Sequence, residues 1–378
     1  MDRRRLANLI AAISAITVFG FTLGLMFPLL SLIMEARGVD AGTIGYNAAM
    51  QPLGIVLSIF TIPPLVRRFG AKRVVIGAAI LTATVILAYP FAPIFWWWFA
   101  LRILHGFFVS TLFAISEAWI VRFAEGPYRS RLLAVYTSIL AVSFGGGPVL
   151  IRFTGIDTAL PFVIGAIILL AAAIPILFVQ DEAVDSEDEK PLSILGFARK
   201  APVLLAAVGM FAVIDAANLG FLAVYCVKKG MAVETAALAL TAFVVGNTVL
   251  QFPIGWLADH VRKRAVMAGC GVVTAIASVL IPATFATPLL WPVLLVAGAA
   301  SAGIYTVALA ELGDRFSGHE LVTGTASFST AWGSGALAGS LIAGWAIAGF
   351  GPDGLPYTMA AIFTLFLLVM FAREARRP

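Results

Sequence analysis

The chain has 378 residues, of which 61% are hydrophobic and only 12% are charged. Soluble globular chains are nearer half apolar and a quarter charged, so this composition excludes a water-soluble fold and indicates a lipid bilayer as the solvent. The formal net charge is +5, but the basic residues do not form the clustered face that nucleic-acid binding requires.

A helix needs about 20 apolar residues to cross the hydrocarbon core of a bilayer. By that measure the sequence predicts twelve transmembrane helices, and the first is longer than the roughly 7–15 apolar residues of a signal peptide. Barrel strands need only about ten alternating residues, which excludes a barrel for runs of this length. The predicted spans are 7–34, 43–66, 73–90, 94–122, 131–153, 159–179, 201–227, 234–258, 265–285, 289–311, 321–348 and 355–372.

The positive charges of the loops predict the orientation of these spans. With the N-terminus inside, 20 of the 25 Lys and Arg residues fall in cytoplasmic segments, and the outer loops hold four: Arg37, Arg152, Lys228 and Lys229. Cytoplasmic loops carry such an excess. We therefore expect a multi-pass protein of the cytoplasmic (inner) membrane with both termini in the cytoplasm and lipid as its surroundings.

The longest loop, DEAVDSEDEKPLSILGFARK at 181–200, is acidic and divides the chain near its middle. It is interpreted as a solvated cytoplasmic linker between an N-terminal six-helix bundle (1–180) and a C-terminal six-helix bundle (201–378).

The two halves resemble each other when the sequence is shifted by 192 residues. Gly38 then lies on Gly230, and GIVLSIFTIPPLVRRFGAKR (54–73) lies on GNTVLQFPIGWLADHVRKRA (246–265). Parallel repeats of six helices place a substrate pathway between the halves, near the middle of the bilayer.

Five short stretches resemble motifs of the major facilitator superfamily. GWLADHVRKR (255–264) resembles the loop motif Gly-x-Leu-Ala-Asp-Arg-x-Gly-Arg-Lys, and PPLVRRFGAKR (63–73) resembles its N-terminal copy, with Arg67 where the family has Asp. RILHG (102–106) is similar to the fourth-helix motif Arg-x-x-Gln-Gly, with His105 in the Gln place. The others are YRSRLLAVY (128–136), similar to the entry to helix five, and SFGGGP (143–148), similar in part to the fifth-helix motif of antiporters.

The SEAW and RSRLLAVY stretches are also similar to the YcaD-like branch of this family. The resemblance implies an all-α integral membrane protein of two pseudo-symmetric six-helix bundles, working as a rocker-switch secondary transporter with alternating access. It also implies a cytoplasmic gate that latches the outward-open state, formed by Arg67, Arg68, Gly70, Lys72, Arg73, Asp259, Arg262 and Arg264.

The sequence predicts that this gate is asymmetric. Asp259 is the only acid in the two motif loops, and an acid near the N-terminal end of a neighbouring helix is favoured by the helix dipole. Arg67 cannot play that part in the N-terminal copy.

Three ionisable residues lie in the fourth predicted span, where such groups are costly and usually face the bundle interior. Arg102 and His105 share one face; Arg102 is either a clamp between helices or a substrate or proton site. His105 is either a hydrogen-bonding group or, because histidine titrates near pH 6.5, a proton carrier. Glu117 lies near the cytoplasmic end and is a proton-coupling candidate or a gate partner of Arg68 or Arg122.

Asp215 is the sharper proton-coupling candidate because it lies near the middle of span seven. Desolvation at mid-bilayer disfavours the charged carboxylate and so favours proton capture in one access state. Asn218 is one turn on and shares its face. The alternative is an Asp that packs by hydrogen bonding to a neighbouring helix.

Uncharged polar residues on several spans are candidates for the wall of the substrate cavity. Interhelical hydrogen bonding is the alternative for each of them, and the glycines of spans five and eleven are interpreted as allowing close helix packing. The candidates are Asn47, Gln51, Asn247, Gln251, Tyr305, Ser327 and Thr330.

The remaining patterns favour a transporter over other classes. There are no paired catalytic carboxylates, His clusters or nucleophile motifs that would indicate an enzyme, and no GxxxxGK[ST] sequence that would indicate an ATP-driven pump. Cys226 and Cys270 lie apart in apolar runs, which predicts no metal site, and no cofactor is expected. The expectation is proton-coupled transport of a small molecule, with the partial antiporter motif favouring export; import, uniport or a sensor or channel on the same fold stay open.

Overall fold

The computed structural model describes residues 3–92, 95–123, 129–179, 194–316 and 318–374. Regular structure in these residues is entirely helical, with fifteen α-helices and two short 3-10 segments at Tyr89–Phe91 and Ile174–Phe178. The α-helices are α1 (Arg3–Ala36), α2 (Ala41–Ile59), α3 (Ile62–Phe69), α4 (Ala71–Ala88), α5 (Trp97–Phe123), α6 (Arg129–Thr154), α7 (Leu160–Ala173), α8 (Ile194–Lys200), α9 (Pro202–Lys228), α10 (Val233–Val249), α11 (Gln251–His260), α12 (Lys263–Thr284), α13 (Leu290–Arg315), α14 (Gly318–Phe350) and α15 (Gly354–Glu374).

Ten of the described helical segments are long and apolar enough to cross a membrane. An eleventh is added when α2 and α3, which bend by 53° at their junction, are counted together. Pro63 and Pro64 lie in the first turn of α3, where a missing N–H costs nothing and where the chain can change direction. A shorter apolar stretch, Ser138–Thr154, lies in α6. The chain is therefore a multi-pass membrane protein with ten or eleven such spans among its described residues, and the count of twelve stays a prediction.

Large apolar side chains cover much of the helix surface. Phe91, Phe153 and Phe252 are more than three-quarters exposed. An apolar surface this extensive is typical of helices that face lipid. It agrees with the bilayer solvent that the composition indicates.

Contacts divide the chain into two compact units. The first comprises Met1–Ile33 with Met50–Glu187, and the second comprises Met34–Ala49 with Asp188–Pro378. The short segment at Met34–Ala49, which includes the start of α2, belongs with the second unit. Residues 181–193 of the predicted linker lie outside the described residues, and residues 194–200 form α8.

Glycines bring neighbouring helices together in the same way in each unit. In the first unit a Cβ on Gly54 of α2 would lie 2.1 Å from the Ile103 carbonyl oxygen of α5, and one on Gly106 would lie 2.1 Å from the Gln51 carbonyl oxygen. Such distances leave no room for any side chain, so the backbones of α2 and α5 are in direct contact.

The second unit repeats this contact between α10 and α13. A Cβ on Gly246 would lie 1.9 Å from the Leu295 carbonyl oxygen, and one on Gly298 would lie 2.0 Å from the Phe243 carbonyl oxygen. Each of these four residues lies 192 positions after its counterpart in the first unit. The internal repeat is therefore present in the packing of the helices, with the shift that the sequence predicts.

Glycines also mark close packing in α6 and α14. A Cβ on Gly147 of α6 would lie 2.1 Å from the Leu25 nitrogen of α1. A Cβ on Gly339 of α14 would lie 2.2 Å from the Val213 carbonyl oxygen of α9. The interpretation of these glycines as packing residues is confirmed.

Candidate functional site

Arg102 lies on α5 and is fully buried in the first unit. Its Nη2 donates a hydrogen bond to the Phe27 carbonyl of α1 at 3.4 Å, and its guanidinium carbon lies 5.4 Å from the centre of the Phe27 ring. A cation over an aromatic face is attracted by the ring quadrupole. These contacts join α5 to α1.

His105 lies one turn after Arg102 and is fully buried. Neither of its ring nitrogens has a hydrogen-bond partner among the described residues, and the same is true of the Gln51 amide. Buried polar groups without partners are uncommon, and each one calls for an explanation such as strain, a chemical role or a bound water. Asn47, one turn before Gln51, is also fully buried.

Glu117 is exposed near the end of α5. The described side chains show no ion pair between Glu117 and Arg68, and the Arg122 side chain lies outside the described residues. The preceding residue, Ser116, is buried and hydrogen-bonds the Tyr136 hydroxyl of α6 at 2.8 Å. Sequence reasoning missed this pair.

Asp215 lies in the middle of α9 and is 8% exposed. Its Oδ1 accepts a hydrogen bond at 3.3 Å from the Asn247 amide of α10, while the Asn247 Oδ1 is buried without a partner among the described residues. Asn218, one turn on, donates to the Ile214 carbonyl of its own helix at 3.0 Å. The structure thus joins two predicted site residues, Asp215 and Asn247, from two different helices.

Gln251 connects α11 to α13 through two hydrogen bonds. Its amide nitrogen donates to the Ala299 carbonyl at 3.2 Å, and its amide oxygen accepts from the Thr306 hydroxyl at 2.7 Å. Thr306 was not predicted, although it directly follows the candidate Tyr305.

Tyr305, Ser327 and Thr330 make local contacts in the second unit. The Tyr305 ring lies 5.3 Å from the Phe211 ring. The Ser327 and Thr330 hydroxyls donate to carbonyls one turn back in α14, at 2.7 and 3.1 Å. Such bonds satisfy a hydroxyl proton but leave its oxygen able to accept.

The predicted gate residues of the first unit lie in the last turn of α3, in the first turn of α4 and at the glycine between them. Gly70 has φ +80° and joins the two helices, a conformation that favours glycine. The Lys72 ammonium donates to the Val179 carbonyl at 2.6 Å. Arg67, Arg68 and Arg73 are exposed.

The matching loop of the second unit is tied by ion pairs. Glu311 of α13 accepts from Arg264 at 3.4 Å and from Arg315 at 3.0 Å. Lys263 pairs with Asp314. Asp259 and Arg262 are exposed at the end of α11 and in the turn after it. Sequence reasoning placed Glu311 only at a span end and missed its role as the centre of this cluster.

Charged residues also meet at the Lys228 end of α9. Lys228 pairs with Glu35 at 2.7 Å. Lys229 pairs with Asp353 at 3.0 Å, and the second Asp353 oxygen accepts from the buried Tyr225 hydroxyl at 3.2 Å.

A small cavity lies inside the second unit, beside α9. It has room for about one water molecule, and its lining combines apolar side chains with four polar ones: Asn218, Tyr225, Thr274 and Ser278. The described residues contain no group of three His, Cys, Asp or Glu side chains that would hold a metal ion.

Comparison with known proteins decides the family. The family model described as Major Facilitator Superfamily matches residues 12–232 and 205–378, nearly the whole chain. The chain belongs to the major facilitator superfamily. This confirms the resemblance that the loop motifs carry.

Two curated relatives are similar over almost their full lengths. The uncharacterized MFS-type transporter YfkF of Bacillus subtilis (strain 168) is 24% identical, with 93% of each chain covered. The uncharacterized MFS-type transporter YcaD of Escherichia coli O139:H28 is 22% identical, with 96% of this chain and 94% of the relative covered. The similarity to YcaD-like transporters is therefore confirmed.

Solved transporters share the fold. The nucleoside transporter NupG superposes with a TM-score of 0.79 at 12% identity, and both chains are fully covered. A bacterial homologue of the human lysosomal transporter Spinster superposes with a TM-score of 0.77 at 13% identity, covering 98% of this chain and 96% of the other. At these identities the likeness concerns the fold.

Proposed function

We propose that this major facilitator is a proton-coupled secondary transporter, which moves a small molecule across the cytoplasmic membrane by rocker-switch alternating access. Asp215 is the residue that takes and releases the proton. The supporting observation is a carboxyl group buried at the middle of a membrane-spanning helix, whose described polar partner is a neutral amide.

The environment of Asp215 suits reversible protonation. Burial away from water disfavours a bare charge, whereas the hydrogen bond that Asn247 donates stabilises the carboxylate. These two effects oppose each other. A change in the hydration of α9 during alternating access therefore moves the balance between the protonated and the ionised forms.

The direction and the membrane location rest on the sequence. The partial antiporter motif at 143–148 favours export in exchange for protons, and the charge bias of the loops favours cytoplasmic termini. Candidate ligand groups are present in both units. Gln51, Arg102 and His105 belong to the first unit, and the second holds Asn47, Asn218, Asn247, Gln251, Tyr305, Ser327 and Thr330. Such a mixture selects for no single charge, so the substrate class is left at small molecule.

The test is proton movement in proteoliposomes that hold the purified protein and an internal pH dye. A panel of metabolites and drugs is added to wild type and to Asp215→Asn, which keeps the shape of the side chain but cannot ionise. We expect a compound that triggers proton flux in wild type and none in the variant.

Asp157→Asn is the matched control, because Asp157 is an exposed acid between α6 and α7. It should transport like wild type. A compound that accumulates or exchanges without proton movement in wild type would refute proton coupling and indicate a uniporter or another driving ion.

A further inference from the structure

We propose that the second unit contains its own proton path, which runs inside the helix bundle from Asp353 through Tyr225 and the small cavity to Asp215. This inference rests on the proposed function, since it supplies the route by which Asp215 exchanges its proton.

Three polar residues of α9 and Lys229, which directly follows the helix, lie on one stripe. Asp215, Asn218, Tyr225 and Lys229 follow one another at intervals of three, seven and four residues, which keeps them within about 80° of one another around the helix. The stripe spans about 21 Å along the axis. It therefore connects the buried middle of α9 with its charged end.

The cavity occupies the middle of this stripe. Asn218 and Tyr225 both line it, although they are two turns apart, and α12 contributes Thr274 and Ser278. The two hydroxyls donate at 2.8 Å to the Cys270 and Thr274 carbonyls of their own helix. Their oxygens remain acceptors, and a water in a polar cavity needs such partners.

Tyr225 connects the cavity with solvent. Its side chain is fully buried, yet its hydroxyl donates to Asp353, whose other oxygen pairs with Lys229. The Asp353 side chain is 35% exposed. Tyr225 is thus the described residue that both lines the cavity and bonds a group that water reaches.

The transfer balances without any further reactant. A proton from water binds Asp353, and the Tyr225 hydroxyl rotates from Asp353 toward the cavity. Its proton then passes to water in the cavity while its oxygen takes the proton from Asp353. Tyr225 stays neutral, and its new hydroxyl proton again faces Asp353. The cavity water releases the proton at the Asn218 side of the cavity, one turn from Asp215, which takes it up and becomes neutral.

Other titratable groups lie along the path. Cys226 and Tyr357 act electrostatically on Tyr225, as does Asp353. Around Asp215, the hydrogen-bonding partner from α10 is the neutral Asn247, and Tyr305 of α13 lies against Phe211, one turn earlier in α9. No charged side chain of the described residues acts on Asp215.

The test follows the protonation of Asp215 directly, without a substrate. Infrared difference spectra of the reconstituted protein after a pH jump contain the carboxyl band of Asp215, assigned by its loss in Asp215→Asn. Two variants interrupt the path: Tyr225→Phe removes the hydroxyl and keeps the ring, and Ala297→Leu fills the cavity. We expect each to slow protonation about tenfold, the effect of losing one hydrogen-bonded link.

Tyr46→Phe is the control, because it removes the same hydroxyl from a tyrosine that is 46% exposed and does not line the cavity. It should protonate Asp215 at the wild-type rate. Ser278→Ala serves as a milder variant of the cavity if Ala297→Leu does not fold, with a smaller slowing expected.

Two other outcomes are distinguishable. An Asp215 band that titrates at the wild-type rate in all path variants overturns the path and leaves proton coupling through Asp215 intact. The absence of any pH-dependent band of Asp215 overturns both the path and the proposed role of Asp215.

Discussion

Three corresponding positions in the two repeats carry different kinds of side chain. In the first unit these positions hold Tyr89, Arg102 and His105, all buried. The residues 192 positions later are Ile281, Leu294 and Ala297, and two of these, Ile281 and Ala297, line the cavity beside α9. Large polar groups thus occupy one copy, and the second copy has smaller or apolar residues and a space for water.

The glycines that bring the helices together and the side chains that carry buried charge therefore differ in how far the two repeats share them. The glycine contacts are the same in both units, since Gly54 and Gly106 correspond to Gly246 and Gly298. The buried charges are not the same: the first unit has the cation Arg102, and the second has the acid Asp215, whose counterpart is Leu23. Packing is conserved between the repeats while the ionisable chemistry has diverged.

The largest expected effect is a difference in protein stability between variants of the two buried charged residues, Arg102 and Asp215. Arg102→Gln removes the bond to the Phe27 carbonyl and the contact with its ring, so we expect the free energy of unfolding to fall by about 2 kcal/mol. Asp215→Asn should leave the melting temperature in detergent unchanged or raised, because it removes a desolvated acid. Thermal unfolding of both variants is the measurement.

Equal melting temperatures for wild type and Arg102→Gln would show that Arg102 is not a clamp between α5 and α1. A substrate or proton role for Arg102 would then be favoured. Arg102→Lys is the matched control, since it keeps the charge but loses the planar guanidinium.

A smaller effect concerns the two motif loops. Two ion pairs stabilise the second loop: Lys263 with Asp314, and Arg264 with Glu311. The described contacts of the first loop are the hydrogen bond of Lys72 and the turn at Gly70. We expect Asp259→Asn to shift accessibility labelling of an introduced cysteine roughly fivefold, as a coupling of about 1 kcal/mol does. Arg67→Ala should leave labelling unchanged, and equal shifts in both variants would refute the asymmetric gate.

The smallest effect concerns the starts of α2 and α10. Asp40 accepts from the Thr43 backbone N–H at 2.9 Å, as an N-cap does, while its counterpart Ala232 has no side-chain cap. We expect Asp40→Ala to lower the free energy of unfolding by about 0.5 kcal/mol and Ala232→Asp to raise it by a similar amount. Chemical denaturation of the two single variants tests this, and effects of the same sign would contradict it.

The Asp40 cap also has a pH dependence of known sign. The Thr43 hydroxyl, followed by its backbone N–H, lowers the pKa of Asp40 below its ordinary value. A carboxyl whose pKa is lower in the folded state stabilises that state above the unfolded pKa, and the contribution is lost as pH falls through the folded pKa. The stability difference between wild type and Asp40→Asn should therefore disappear in acid.

Much of the fold was predictable because it depends on composition and on a repeat. Apolar runs predict most of the spans, and the shift of 192 residues is confirmed by the glycine contacts. The break between α2 and α3 was not predicted, since apolar length alone does not record a bend. Helix α8 was missed because its seven residues are too few for a span and directly follow an acidic stretch.

The residues of the candidate site were predictable from their type and position, but their hydrogen-bond and ion-pair partners were not. Mid-span position identifies Asp215, and nothing in the sequence indicates that Asn247, rather than Asn218, would bond it. The cavity beside α9 was missed because it results from small side chains such as Ala297, which carry no chemical signal of their own. Glu311 was underestimated since one of its two arginine partners, Arg264, comes from a different helix.

The glycine contacts of α2 with α5 and of α10 with α13 have a consequence for how this protein can be altered. They involve only backbone atoms, so the joint between these helices makes no demand on the neighbouring side chains. Positions beside the joint, such as His105 and Ala297, can therefore exchange size and polarity while the helices keep their register. Such a joint allows single substitutions to change the solute that a transporter prefers. Replacing any of the four glycines would instead disrupt the packing of the whole bundle.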